Sequence, residues 1–200
     1  MNAPTKLNLE PIRIGTGTVQ VHDIFDPLPD FMREANVIYT DPPWNLSNLN
    51  NFARKAGRER FPSFELFYHR LFACIAEIRP SEAFVEVGKQ HLRDFSRQMN
   101  RLYPEVTVYN NFYYRVNPSH IVHGSVKPEK YPLEGLDDDD AVRWVCQHVE
   151  YDCIGDLCMG QGITGWCANS SGRKFVGTEL NQGRLQVLIR RITEGKFNVR

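Results

Sequence analysis

Val37-Ile38-Tyr39-Thr40-Asp41-Pro42-Pro43-Trp44 is the stretch on which the reading of this chain turns. Val37-Ile38-Tyr39 is an apolar run with the length and composition of a buried strand. Two prolines stop it at once, because proline has no N–H for the ladder. A carboxylate, a rigid turn and an aromatic ring are thereby gathered at a strand's C-terminal end, the edge at which open α/β sheets bind ligands. The set suits a flat, amino-bearing ring. The Asp41 carboxylate and the Pro42 carbonyl can each accept a hydrogen from an exocyclic amine, and Trp44 can stack on the ring face. The alternative reading is an ordinary Asp-Pro turn with a surface tryptophan.

The C-terminal half carries a second pattern. Asp152 to Leu157 reads as a short strand. Cys158-Met159-Gly160-Gln161-Gly162-Ile163-Thr164-Gly165-Trp166 follows as a glycine-rich turn entering a helix, and Lys174 to Glu179 is a second strand that ends in an acid. Strand, glycine turn, helix, strand and terminal acid, in that order, make a nucleotide- or nucleoside-binding βαβ unit. The glycines let the backbone approach the ligand, and the acid can accept from two ribose hydroxyls. A plain βαβ turn is the other reading.

Together the two patterns resemble the S-adenosylmethionine-dependent amino-methyltransferases. Asp41-Pro42-Pro43-Trp44 matches that family's catalytic motif, and the glycine turn matches its cofactor motif. The catalytic motif comes first here, which is the permuted order of the beta group of DNA adenine-N6 and cytosine-N4 methyltransferases. Val19 to Phe25 with Leu28-Pro29-Asp30 resembles the segment that precedes the catalytic strand in that group. The resemblance spans about residues 17 to 195. One departure is local: the family's turn usually carries an aromatic where this chain has Cys158.

The resemblance implies a single domain over 1–200 with a Rossmann-like methyltransferase fold. It implies an α/β architecture of about seven mostly parallel strands with an antiparallel edge hairpin and helices on both faces. The last two strands in sequence are expected beside the first. S-adenosylmethionine is the implied cofactor, with contacts at Asp23, Asp41, Asp137, Asp156, Cys158, Met159, Gly160, Gly162, Thr164, Glu179 and Leu180. Catalysis falls to Asp41, Pro42, Pro43 and Trp44. The implied substrate is adenine N6 in DNA, presented as a flipped or single-stranded base. RNA remains open, since the tryptophan form of the motif also occurs in messenger-RNA adenine enzymes. Cytosine N4 and a non-catalytic nucleic-acid-binding subunit also remain open. The glutamine-modifying protein methyltransferases are a poorer match, because they usually carry Asn at the Asp41 position.

Composition fits one core of ordinary size. The 200 residues have a formal net charge of zero and no run long enough to span a membrane. No signal pattern opens the chain, so a cytoplasmic location, in a bacterial or phage-infected cell, is expected. The five cysteines, Cys74, Cys146, Cys153, Cys158 and Cys167, have no Cys-x-x-Cys spacing, so neither zinc nor a disulfide framework is expected. With no net positive field, nucleic-acid contact must come from a local patch. Asn45, Arg54, Lys55, Arg58 and Arg60 form one beside the catalytic motif. The Asn-rich stretch 45–62 reads as a substrate-side loop, 118–135 as a second one, and 1–16 as an N-terminal extension. No large recognition segment is visible. A homodimer or a partner subunit supplying recognition is therefore one reading, and the compact form is phage-like.

The middle of the chain reads as scaffold. Ser63 caps a helix carrying Phe64, Phe67, Leu71, Ile75 and Ile78 on one face, and Pro80 stops it. Ala83 to Val87 is a buried strand, and 90–102 is helical. Val106 to Val116 is an aromatic-rich strand that turns at Asn117-Pro118. Its aromatics read as core, as a dimer surface or as a base-stacking platform. Asp137 to Asp140 are the acidic first turn of a helix, where they complement the helix dipole.

Overall fold

A computed structural model describes residues 10–195. Eight strands form one sheet in the order β1-β2-β8-β7-β3-β4-β6-β5. They are β1 (Ile12–Ile14), β2 (Gly17–Val21), β3 (Val37–Thr40), β4 (Glu82–Gly88), β5 (Glu105–Tyr113), β6 (Asn117–Ser125), β7 (Cys153–Asp156) and β8 (Lys174–Glu179). The five strands β2, β8, β7, β3 and β4 run parallel. Antiparallel partners close both sides: β1 against β2, and the β5–β6 hairpin against β4. As expected from the permuted order, the last two strands lie between β2 and β3.

A parallel sheet must be covered on both faces, and β3, β4, β7 and β8 are accordingly buried along nearly their whole length. On one face Ile38, Val85 and Val176 meet Leu71, Ile75, Phe95 and Met99. These come from α2 (Phe64–Ile78) and α3 (Leu92–Leu102). On the other face Val37, Tyr39, Phe84 and Phe175 meet Val142, Val145, Ala168, Leu185 and Leu188. These come from α4 (Asp138–His148), α5 (Ile163–Ser170) and α6 (Gln182–Glu194). The Ser63 hydroxyl caps α2 by accepting from Glu65 N–H at 3.1 Å. None of the described helices is long and apolar enough to cross a membrane.

Three expectations need correction. The stretch 45–62 is not a loop, since Leu46–Lys55 is a helix, α1. Asparagine lowers helix propensity, but here it works at the ends and edges. Asn45 caps the helix by accepting from Asn48 N–H at 2.9 Å, and Asn50 pairs with both the N–H and the carbonyl of Phe61. Burial of Leu49 and Ala53 supplies the rest, so packing overrides propensity. The segment 118–135 is a loop only after Ser125, because β6 reaches that residue and pairs on both sides. The hairpin turns at 114–116, not at Asn117-Pro118, which already belongs to β6. Finally, residues 12–14 of the expected N-terminal extension are the eighth strand, joined to β2 through a two-residue turn at Gly15-Thr16. Residues 1–9 lie outside the described residues.

Close packing at the site's foundation depends on Gly155 in β7. A Cβ there would lie 2.6 Å from Ile38 Cδ1 and 2.7 Å from Ala35 Cβ. Gly155→Ala is expected to destabilise the fold by about 1–3 kcal/mol through overpacking. Urea unfolding would register this as a lower midpoint at unchanged slope.

Candidate active site

The C-terminal ends of four neighbouring parallel strands each deliver an acid. Glu179 ends β8 and Asp156 ends β7, Asp41 follows β3, and Glu86 lies near the end of β4. Two cavities open above them, of about 430 and 460 Å3, and both are lined by Asp41, Gly160, Cys158, Tyr113, Phe52 and Arg184. Asp41 thus stands where the two meet.

Pro42 is buried and fixes the turn. Trp44 folds back so that its indole Nε1 donates to Asp41 Oδ1 at 2.8 Å. Its six-membered ring lies against Gly88, where a Cβ would come within 2.9 Å of Trp44 Cε3. The Tyr113 ring meets it edge-on at 4.9 Å. Trp44 is therefore a brace for Asp41 as well as an aromatic surface. Water reaches Asp41 through the open cavity, yet protein fills most of the space around the carboxylate. That desolvation pushes its pKa up to about 7; the Asp156 and Asp138 charges add to it, while the Trp44 N–H and Arg184 oppose it.

The glycine turn runs from Leu157 to Gly162. Gly160 has φ 54° and Gly162 φ 80°, backbone that favours glycine. The missing Cβ atoms also matter for space: one at Gly160 would meet the Arg184 guanidinium at 2.6 Å, and one at Gly162 would meet Leu188. Gly160 N–H donates to Glu179 Oε2 at 2.7 Å, and Asn181 N–H donates to Glu179 Oε1 at 2.8 Å. Burial raises the Glu179 pKa, and these backbone donors with Arg184 hold it back. Asp156 accepts from Cys158 N–H at 3.0 Å; burial moves it up to about 6. Met159 lines the second cavity along its backbone, while its side chain packs between Gly165 and Gly177 in the core. Thr164 is buried in the first turn of α5 and borders the same cavity.

The first cavity is largely apolar. Ile24, Leu157, Leu180 and Phe61 line it, with Asp23 and Glu179 at its edge. Asp23 Oδ1 accepts from Phe25 N–H at 3.2 Å. The second cavity is acidic. Its wall includes Glu86, whose Oε1 accepts from Tyr39 Oη at 2.6 Å and whose Oε2 is buried without a hydrogen bond. Burial, followed by the Asp41 charge, holds the Glu86 pKa well above the carboxylate range. Asp138 is pushed up to about 6, chiefly by burial.

Most of the residues expected at the site converge there, with exceptions. Asp137 turns away and accepts from Arg115 N–H at 2.6 Å, so the cavity wall is formed by Asp138 and Asp139. The basic residues divide. Lys55 borders the second cavity, and Arg58 pairs with Asp23 at 3.7 Å. Arg54 bonds Asn51 at 3.0 Å, and Arg60 is exposed. The Asn45 side chain is spent on capping α1. Glu86, Asp138 and Arg184 escaped the sequence reading. Glu86 left a signal, a lone acid inside the apolar strand Ala83 to Val87. Arg184 left none, for its position over the Phe52 ring at 4.7 Å depends on α1 and α6 meeting. Among the described residues, no group of His, Cys, Asp or Glu side chains is placed to hold a metal ion.

The chain matches no protein-family model and no curated sequence. Solved structures do resemble it. M1.HpyAVI superposes with a TM-score of 0.57 at 15% identity, over 88% of this chain and 98% of that one. TTHA0409 of Thermus thermophilus, complexed with S-adenosyl-L-methionine, gives 0.58 at 13% identity over 81% and 86%. PvuII DNA methyltransferase, which is cytosine-N4-specific, gives 0.53 at 12% identity over 92% and 94%. At these identities the likeness is one of fold.

The Trp44 brace is separable from the Trp44 ring. Trp44→Phe keeps an aromatic side chain and removes the N–H that favours the charged carboxylate. The Asp41 titration is therefore expected to move to higher pH in this variant, as followed by carboxyl 13C resonances.

Proposed function

We propose that the protein transfers the methyl group of S-adenosylmethionine to the exocyclic N6 amine of adenine in DNA. The observation that carries this reading is Asp41 at the junction of an apolar and an acidic cavity, beside the Pro42-Pro43 turn and within reach of the glycine turn. The residues present fit the cofactor. The apolar cavity suits its adenine ring, with Asp23 and Leu180 at the edge. Glu179 retains lone pairs for ribose hydroxyls after accepting two backbone N–H groups, and Gly160 leaves the approach open. The acids Asp41, Glu86, Asp138 and Asp156 suit a ligand whose methionyl end carries an ammonium and a sulfonium. Fold relatives support it: M1.HpyAVI and TTHA0409 have been solved with this cofactor.

S-adenosylmethionine, when bound, supplies an electrophilic methyl group on sulfur. The protein's task is to raise the nucleophilicity of the amine. An aryl amine is weakly nucleophilic because its lone pair is delocalised into the ring. Asp41 Oδ2 and the Pro42 carbonyl accept its two N–H hydrogens and favour a localised lone pair. The same carboxylate offsets positive charge growing on nitrogen and takes the proton afterwards. Trp44 holds Asp41 in orientation, and Tyr113 and Trp44 offer ring faces to the entering base. A base inside a duplex cannot reach this edge, so it must leave the stack. Cytosine N4 presents the same chemistry, and the likeness to a cytosine-N4-specific enzyme makes it the second reading. Arg54 and Lys55 of α1, with Arg58 and Arg60 just beyond it, supply phosphate contacts.

Calorimetry is expected to show binding of S-adenosylmethionine. Glu179→Ala should weaken it by about 1–3 kcal/mol through loss of a charged acceptor, and Gly160→Val should weaken it further by filling the turn. Undiminished affinity in both variants would remove the cofactor assignment. Labelled-methyl transfer onto DNA followed by nucleoside analysis should yield N6-methyladenine, and Asp41→Ala should abolish it with an unchanged circular dichroism spectrum. N4-methylcytosine alone would select the second reading.

The ionised form of Asp41 is the reactive one, and its pKa lies near 7. Turnover should therefore be low under acidic conditions and rise as pH passes through that region. In Trp44→Phe the rise should occur at higher pH. A flat profile between pH 6 and 8, at about constant substrate saturation, would place the essential ionisation elsewhere.

A further inference from the structure

The apex of the β5–β6 hairpin leaves large apolar side chains in water. Phe112 is 41% exposed, Tyr114 57% and Val116 74%. Their backbone adds a second anomaly. Tyr114 (φ 53°) and Arg115 (φ 61°) are consecutive residues in the left-handed region, where glycine or asparagine would sit without strain. The apex is nevertheless held firmly. Arg115 N–H donates to Asp137 Oδ1, and Phe112 N–H donates to the Leu136 carbonyl at 3.0 Å. An exposed, strained and braced tip with an arginine between two apolar side chains is built to meet something.

Its position says what. The Tyr114 ring lies 4.3 Å from Tyr113, and Tyr113 lies 4.9 Å from Trp44, the residue bonded to Asp41. The apex is two ring contacts and one hydrogen bond from the Asp41 carboxylate, close to where a base must leave its stack. We propose that Tyr114-Arg115-Val116 is a wedge that enters duplex DNA at the target step and fills the space vacated by the extruded base. The inference rests on the DNA-methylating reading of the site and narrows its substrate to stacked, double-stranded DNA. Apolar side chains inserted between base steps unstack them and hold the opening. Arg115, exposed at the apex, meets the flanking phosphate. The bracing matters because a limp tip would be pushed aside by the stack it has to part.

The test uses the full chain, S-adenosylmethionine and three oligonucleotides of one sequence: single-stranded, fully paired, and paired with the target base opposite an abasic site. The variant Val116→Ser changes an exposed side chain that borders neither cavity. It should lose at least about tenfold in kcat/KM on the paired duplex, within what unstacking one base step costs. It should stay within about twofold of wild type on the single strand and recover on the abasic duplex, where no partner base resists extrusion. Arg115→Gly relieves the left-handed backbone and so folds at least as well. It should weaken duplex binding and flatten its salt dependence by about 0.9 units. Tyr114 borders the mouth of the acidic cavity, so it is left unchanged, and cofactor affinity is measured in parallel. Equal losses on single and double strands, a drop in cofactor affinity, or an unchanged duplex rate would each overturn the wedge while leaving the methyltransferase reading intact. So would a wild-type dimer in sedimentation that Val116→Ser dissociates, which would make the apex an interface between copies. A wild-type protein that methylates no DNA in any form would remove the functional reading itself, and the wedge with it.

Discussion

The structure is organised around crowded negative charge at one edge of a sheet. Asp41, Glu86, Asp156 and Glu179 come from four adjacent parallel strands, and their carboxyl groups raise one another's proton affinity. Such a cluster is tolerable only if each member is bonded. Each is, by a different donor: Trp44 indole for Asp41, Tyr39 hydroxyl for Glu86, and backbone N–H groups for Asp156 and Glu179. These donors account for features that otherwise look unrelated. The glycine turn curls so that Gly160 N–H faces Glu179. Gly88 lacks a side chain so that Trp44 can fold back. Tyr39 sits in an apolar strand so that its hydroxyl meets Glu86. What the protein itself leaves unsatisfied, above all the Glu86 Oε2, is an open hydrogen-bonding position facing the acidic cavity.

The packing beneath serves that edge. A sheet covered on both faces holds its strand ends in fixed relation, so acids far apart in sequence keep a constant spacing. Arg173 shows the same economy on the opposite side. Its guanidinium stacks on Tyr151 at 3.4 Å and donates to the carbonyls of Cys146, Val149 and Tyr151. It closes the C-terminal end of α4, where free carbonyls and the helix dipole favour a cation. The entry to β7 is tied down in the process, and with it the approach to Asp156.

Local patterns were legible in the sequence where the physics is local. The Val37–Tyr39 run, the proline stop, the glycine turn and the acid closing Lys174–Glu179 all announce themselves within a few residues, and each is where it was expected. The face of α2 was legible for the same reason. What stayed hidden depends on partners distant along the chain. The α1 helix looks like a loop because its asparagines disfavour helix until Phe61 and the core engage them. Arg184 is ordinary until α6 lies against Phe52. Asp137 and Asp138 differ by one position, yet Asp137 is extended backbone at the cap and Asp138 is the first residue of α4. That change of backbone sends Asp137 to the hairpin and Asp138 to the cavity, and an acidic run alone does not mark where the helix begins. Ile12–Ile14 was missed because three residues carry too little periodicity to be seen.

The strand order has a consequence for how the chain comes into being. Asp41 emerges in synthesis well before Gly160 and Glu179. Between β2 and β3 there is a gap that only β7 and β8 fill. Until those strands arrive, β2 and β3 expose unpaired edges and the sheet has no middle. Pairings of such long sequence separation are slow to form and leave an interval in which the nascent chain is open to misassociation. A chain released early has neither the acid at the end of β8 nor the turn that faces it. Partial products of translation thus lack half of the acid-lined edge, which is completed when β8 slots into the centre.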